Sequence, residues 1–201
     1  MEAVEAVETL QSDQPARPPT RIPGEEGLWV FVLGDMTIFG LFFGTIMVTL
    51  AKDPAAYAAS QDHLHPVLGI LNTVLLLTGS LLVVRGLRRL GDGSPVAARL
   101  FTDAFACAVG FAAVKATEYS LLAHAGFTPG TDDFFMYYFV FTGIHLAHLV
   151  IGAAVMVFLV RTARLPDLSE RRGLAAECGG IYWHMVDLLW LVLFPLLYLV
   201  R

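Results

Sequence analysis

The chain has 201 residues, of which 56% are hydrophobic and 15% are charged, and its formal net charge at pH 7 is −5. Soluble domains are about 45–50% apolar and about 25% charged, so the composition indicates an integral membrane protein. The acidic net charge gives no indication of a nucleic-acid partner. The two cysteines, Cys107 and Cys178, lie in different segments and form neither a CxxC pair nor a disulfide framework.

The first 23 residues differ in composition from the rest of the chain. They contain three glutamates and four prolines, and no basic stretch leads into an apolar core. This pattern predicts a disordered cytoplasmic tail rather than a cleaved signal peptide. Residues 24–201 are predicted to form one membrane domain.

Five apolar segments follow in chain order, and each has 19 to 27 residues. A helix of about 20 apolar residues crosses a hydrocarbon core of about 30 Å. The sequence therefore predicts an all-α, polytopic membrane protein, a bundle of five transmembrane helices. The segments are Leu28–Leu50, Pro66–Val84, Ala104–Ala123, Phe134–Val160 and Ile181–Val200.

The distribution of basic residues predicts the orientation of the bundle. Ten arginines lie in the tail and in the two loops on the same side, against Lys52 and Arg201 on the other side. Because Lys and Arg accumulate in cytoplasmic loops, the N-terminus is predicted in the cytoplasm and the C-terminus outside. The ten are Arg17, Arg21, Arg85, Arg88, Arg89, Arg99, Arg161, Arg164, Arg171 and Arg172.

Ionisable residues within three of the segments are the first candidates for a functional site. Asp35 lies in the first segment, His145 and His148 in the fourth, and His184 and Asp187 in the fifth. At about 1.5 Å per residue, Asp35, His148 and Asp187 are expected at similar depths. We therefore predict that these residues form one buried polar cluster with His184, and that His145 lies one turn outward.

Residue type alone leaves three roles open for this cluster. It is structural if interhelical hydrogen bonds only hold the helices in register, which is the interpretation that we favour from chemistry alone. It is proton-linked if carboxylates and imidazoles act in series. It is a metal or haem site if His145, His148 and His184 are ligands, since histidine and carboxylate suit several transition metals.

Lys115 and Glu118 form a second candidate pair within the third segment. Residues three apart share a helix face, so the two charges are predicted to form an intramembrane ion pair. We expect Glu118 near the outer membrane boundary, where snorkelling would lower the cost of its charge.

Five motifs in register resemble haem–copper oxidase (cytochrome c oxidase) subunit III, over about Gly24 to Arg201. They are Gly34–Phe39 with its acidic residue, Asn72–Leu76, Glu118–Tyr119, Thr142–His148 and Tyr182–Asp187. Gly34-Asp35 in place of the common Ser-Glu, together with Pro23–Trp29 and Leu193–Tyr198, looks most like the NorE-like branch. Proteins of that branch accompany bacterial nitric oxide reductases.

The resemblance implies an accessory subunit in the bacterial cytoplasmic (inner) membrane, without catalytic residues and without a cofactor of its own. Haem and copper or iron would be held by the partner, catalytic subunit I of a haem–copper oxidase or a nitric oxide reductase. The subunit would support stability, proton uptake and sustained turnover in respiratory electron transport. Two alternatives are a free-standing membrane haem or metal enzyme that uses His145, His148 and His184, and a small proton-linked transporter.

Overall fold

The computed structural model describes residues 23–166 and 168–200, which form six helices and no strand. Five of these helices are long and apolar enough to cross a membrane, so the predicted all-α, five-span membrane fold is confirmed. The predicted tail up to residue 22 and Arg201 lie outside the described residues. The helices are α1 Glu26–Lys52, α2 Pro54–Gln61, α3 Pro66–Gly91, α4 Val96–His124, α5 Asp133–Thr162 and α6 Glu170–Tyr198.

Local sequence explains where several helices begin and end. The side chain of Asp53 accepts a hydrogen bond from the backbone N–H of Ala56 at the start of α2, and Asp132 accepts one from Phe135 at the start of α5. Such contacts satisfy N–H groups that the first turn leaves free. Arg88 and Arg89 lie in the last turn of α3, where cations complement the helix dipole.

Helices α3, α4, α5 and α6 form a ring in which each helix packs against the next, so α4 and α6 lie diagonally. Their shared core contains the fully buried rings of Phe101, Phe111, Trp183 and Trp190. Gly86 of α3 is one reason for the close packing, because a Cβ atom there would lie 2.6 Å from the ring of Phe101. A larger side chain at this position would push α3 and α4 apart.

Helix α1 lies outside this ring and packs against α6, α5 and α2. Its buried residues form one narrow stripe along the helix. Val32, Phe39 and Ile46 are spaced seven residues apart, and Leu50 follows one turn after Ile46. Most of the remaining apolar side chains of α1 face outward. The helix therefore presents a large surface at membrane depth that the described part of the chain does not cover.

Helix α2 lies between the first two predicted spans, and it closes the end of α6. The hydroxyl of Tyr57 donates to the carbonyl of Leu196 at 3.1 Å, and Nε2 of Gln61 donates to the carbonyls of Leu197 and Val200 at 3.0 and 3.1 Å. A helix end leaves its last carbonyls unpaired, and α2 supplies their partners. Burial raises the pKa of Tyr57 to about 12.

Candidate polar sites within the bundle

Lys115 lies at the centre of a hydrogen-bonded network that joins α4 to α5 and α6. Its Nζ lies 2.8 Å from Oε2 of Glu118, 3.0 Å from the hydroxyl of Tyr138 and 2.8 Å from the hydroxyl of Tyr198. The hydroxyl of Tyr198 in turn donates to the Glu118 carboxylate at 2.8 Å. An ammonium group has three N–H donors, and each of them has an oxygen acceptor here.

Lys115 and Glu118 are also fully shielded, since each side chain is 0% exposed. The rings of Tyr119, Tyr138, Trp190 and Tyr198 surround the ammonium group at 4.6 to 5.8 Å from their centroids, within the range of cation–π attraction. Glu118 therefore does not snorkel as we expected. Tyrosine hydroxyls inside the bundle give the pair the partners that water would otherwise supply.

Asp35 of α1 and His148 of α5 form a second contact, with 3.2 Å between Oδ1 and Nε2. Nδ1 of His148 lies 2.9 Å from the carbonyl of Ile144, and because a carbonyl only accepts, Nδ1 must carry a proton. A hydrogen bond between Nε2 and Asp35 then needs one more proton, either on the imidazole or on the carboxylate. The pair thus has a place for one shared proton.

His184 and Asp187 of α6 lie elsewhere in the bundle, on the side of α3. Nδ1 of His184 is 2.7 Å from Oγ of Ser80 and 3.8 Å from Oδ2 of Asp187. In a catalytic Ser–His–Asp triad the serine and the carboxylate use different ring nitrogens. Here both face the same nitrogen, so the geometry is not that of a serine hydrolase.

The structure therefore separates residues that we predicted in one cluster. In the described part of the chain, no hydrogen bond or ion pair joins the Asp35–His148 pair to His184 or Asp187. His145 packs between the rings of Phe111 and Trp190, with both ring nitrogens unpartnered. The cause is the arrangement of helices, because α1 and α3 contact different sides of α6.

Comparison with known proteins relates this fold to a family. Residues 25–200, nearly the whole described region, match the family of cytochrome c oxidase subunit III. The chain belongs to this family. The family predicted from the sequence motifs is therefore confirmed, although the match does not distinguish the NorE-like branch within it.

Individual relatives carry corresponding names. Quinol oxidase subunit 3 of Bacillus spizizenii is 25% identical over 175 residues, which cover 86% of this chain and 85% of the relative. Cytochrome bo(3) ubiquinol oxidase subunit 3 of Pseudomonas aeruginosa is 24% identical over 176 residues, covering 86% and 83%. Heme-copper oxidase subunit I+III of Aeropyrum pernix is 27% identical over 183 residues, which cover 86% of this chain but only 22% of that longer protein.

The three histidines considered as metal ligands have different surroundings in this subunit III fold. His145 lies among aromatic rings, His148 contacts Asp35, and His184 contacts Ser80. Within residues 23–166 and 168–200, no three His, Cys, Asp or Glu side chains are grouped so that they could hold a metal ion.

Sequence reasoning missed several residues that complete these sites. Tyr138 and Tyr198 were not among the predicted site residues, but both are buried around Lys115. Ser80 was not considered at all. The signal in the sequence was Lys115 itself. A cation inside a helix bundle needs several hydrogen-bond acceptors, and tyrosine combines an apolar ring with a hydroxyl group that can accept one.

Proposed function

We propose that the chain is an accessory, cofactor-free membrane subunit of a bacterial respiratory haem–copper oxidase. The observation that carries this proposal is the family match over residues 25–200 on a fold of five membrane-spanning helices. In this proposal the chain packs against catalytic subunit I in the cytoplasmic membrane. Haem and copper belong to that partner, and the chain supports the stability and sustained turnover of the complex.

The outward surface of α1 supports packing against a partner. Gly40 and Gly44 lie one turn apart and are exposed, and a Cβ atom built on either would meet nothing within 4 Å. Small residues at this spacing let a second membrane helix approach closely. Around them, Ile38, Leu41 and Val48 present apolar side chains to the outside.

The Asp35–His148 pair supports a role in proton uptake. It joins α1 to α5, it is largely buried, and its geometry has a place for one shared proton. A carboxylate and an imidazole within a membrane are the groups from which proton relays are built. We propose that this pair holds a proton close to the partner, while Lys115 and Glu118 form a structural ion pair.

The family is named for cytochrome c oxidase, and the relatives reported above are named as quinol, ubiquinol or heme-copper oxidase subunits. An oxygen-reducing parent complex is therefore our proposal. A nitric oxide reductase as the parent complex stays a prediction that rests on the resemblance of Gly34-Asp35 and the flanking segments to the NorE-like branch. Measuring oxygen and nitric oxide consumption by the same purified complex distinguishes the two.

The test is affinity purification of the tagged chain from its own membranes in mild detergent. We expect it to co-purify with a larger subunit that carries the haem absorption. Deleting the chain should shorten or lower oxidase turnover and leave the haem spectrum in place. The proposal is wrong if the chain purified alone binds stoichiometric haem or metal and reduces oxygen by itself.

A further inference from the structure

Three arginines lie together where α3 leaves the membrane. The predicted apolar segment ends at Val84, and α3 continues to Gly91 with Arg85, Arg88 and Arg89 exposed along it. Residues three and four apart share a helix face, so the three guanidinium groups are neighbours. At about 1.5 Å per residue, Arg89 lies about 8 Å beyond Val84. Head groups form a layer of about 5–8 Å on each side of the hydrocarbon core, and the arginines lie at that level.

The end of α3 and the start of α4 border a surface cavity of about 500 Å³, which we call the arginine cavity. Its lining consists of Arg85, Arg88, Arg89, Asp92, Val96 and Leu100. Three guanidinium groups and one carboxylate give this lining a net charge of +2. The cavity therefore favours an anion over a neutral or cationic ligand.

The arginines of the cavity have no anionic partner in the part of the chain that the structure describes. No ion pair within residues 23–166 and 168–200 joins Arg85, Arg88 or Arg89 to a carboxylate. Each guanidinium group has five N–H donors in a planar fork. A phosphate group matches such a fork with two parallel hydrogen bonds, so the cavity has the donors that a phosphate needs.

An apolar strip leads from the arginine cavity toward the middle of the membrane. On α3, Leu81 lies one turn before Arg85 and Leu77 lies one turn before Leu81, and these leucines are 49% and 47% exposed. On α4, Val96 and Leu100 form the apolar part of the cavity lining. A free phosphate would contact only the arginines, whereas a phospholipid would place its phosphate on the arginines and its acyl chains on the strip.

We propose that the arginine cavity binds the phosphate group of an anionic phospholipid, and that the acyl chains of this lipid lie along Leu81 and Leu77. Arg85, Arg88 and Arg89 donate to the phosphate oxygens. The net positive charge of the cavity selects against a head group that carries its own cation. The site goes beyond the proposed accessory role, because it does not depend on which complex contains the chain.

Charge removal inside and outside the cavity tests the site. Native mass spectrometry of the purified full chain in mild detergent measures how much added phosphatidylglycerol it retains. Arg85→Gln/Arg88→Gln should weaken retention by about 30-fold, because each arginine near an anionic lipid contributes about fivefold. The matched control Arg99→Gln/Arg172→Gln removes two exposed arginines that do not line the cavity, and it should leave retention nearly unchanged. Equal losses in the two variants, or no loss in either, would overturn the proposal.

Two further probes identify the ligand on the unsubstituted chain. Phosphatidylcholine has the same phosphate and acyl chains with a cationic head group, and it should bind about fivefold more weakly than phosphatidylglycerol, as for a difference of one charge. Inorganic phosphate in large excess should not displace the lipid. Equal retention of the two lipids would overturn the selectivity for an anionic lipid. Displacement by inorganic phosphate would show that a free anion is the ligand.

A labelling experiment locates the lipid without any variant. Phosphatidylglycerol with a photoreactive diazirine near its glycerol group is reconstituted with the chain in phosphatidylcholine vesicles. Leu81 lies three residues before the end of its predicted apolar segment and Phe158 two residues before the end of its own, and they are 49% and 40% exposed. Adducts should concentrate on Leu81 and Leu100. Equal labelling of Phe158 would mean that lipid contacts the whole bundle at this depth, and it would overturn the proposal.

Discussion

The Lys115 ammonium group and the Glu118 carboxylate lie 2.8 Å apart with no exposed surface on either side chain. The desolvation of two such charges offsets much of their attraction, so the pair by itself is weak evidence for added stability. The hydroxyls of Tyr138 and Tyr198 come from α5 and α6, and they give the pair a defined position. The pair thereby fixes how three helices meet.

Removing one charge of this pair should be more harmful than removing both. Glu118→Gln leaves a buried lysine uncompensated, and we expect a loss of about 3–5 kcal/mol in the free energy of unfolding. The double variant Lys115→Met/Glu118→Met should lose clearly less than the two single changes added together. Unfolding in detergent measures both, with exposed Lys52→Met as the control. Additive losses would contradict this account.

The docking of α2 should depend on pH in the alkaline range. Burial raises the pKa of Tyr57 to about 12 from about 10 in an unfolded chain, so the folded state disfavours the tyrosinate. The contribution of the neutral Tyr57 hydroxyl to folding stability is therefore complete below about pH 10, and it is lost as pH rises through about 12. The difference in tyrosinate absorbance between the parent and Tyr57→Phe should show this late titration. A midpoint at pH 10 would mean that the hydroxyl is not enclosed.

Two glycines at comparable helical positions should respond differently to one added methyl group. Gly86→Ala places Cβ 2.6 Å from the buried ring of Phe101, and overpacking of this kind costs about 1–3 kcal/mol. Gly40→Ala meets nothing within 4 Å, and the better helix propensity of alanine should leave stability equal or slightly higher. Thermal unfolding of the two variants side by side checks the difference. Equal losses at both positions would show that α1 is packed more tightly than described.

The orientation of the chain stays a prediction from its arginines. Reporter fusions after Arg89 and Arg172 should report a cytoplasmic location, and a fusion after Arg201 should report an external one. The five confirmed spans require the two termini to lie on opposite sides if every span crosses. Activity of a periplasmic reporter after Arg89 would invert the proposed topology.

The proton role of the Asp35–His148 pair should appear in the pH dependence of turnover. Asp35→Asn keeps the size of the side chain and removes the carboxylate, so the shared proton site is lost. We expect the pH profile of sustained oxidase turnover to change, with a stability loss of no more than about 1–3 kcal/mol. Asp187→Asn, on the other side of α6, is the matched control. An unchanged profile for Asp35→Asn would leave this pair with a structural role alone.

The sequence by itself determined the class, the number of membrane spans and the family of this protein. The lengths of the apolar segments predicted the class and the number of spans. A span must cover a fixed thickness of hydrocarbon, and its backbone hydrogen bonds must be made within the helix. It also indicated two close pairs. Lys115 and Glu118 share a helix face, and equal depth along antiparallel helices predicted the neighbourhood of Asp35 and His148.

Only the tertiary structure decided which polar residues meet. Depth along a helix follows from counting residues, but the direction in which a side chain points depends on which helix packs on which side. Because α3 contacts one side of α6 and α1 another, His184 meets Ser80 and not Asp35. The tyrosines around Lys115 come from three helices, and no spacing within one helix encodes that meeting.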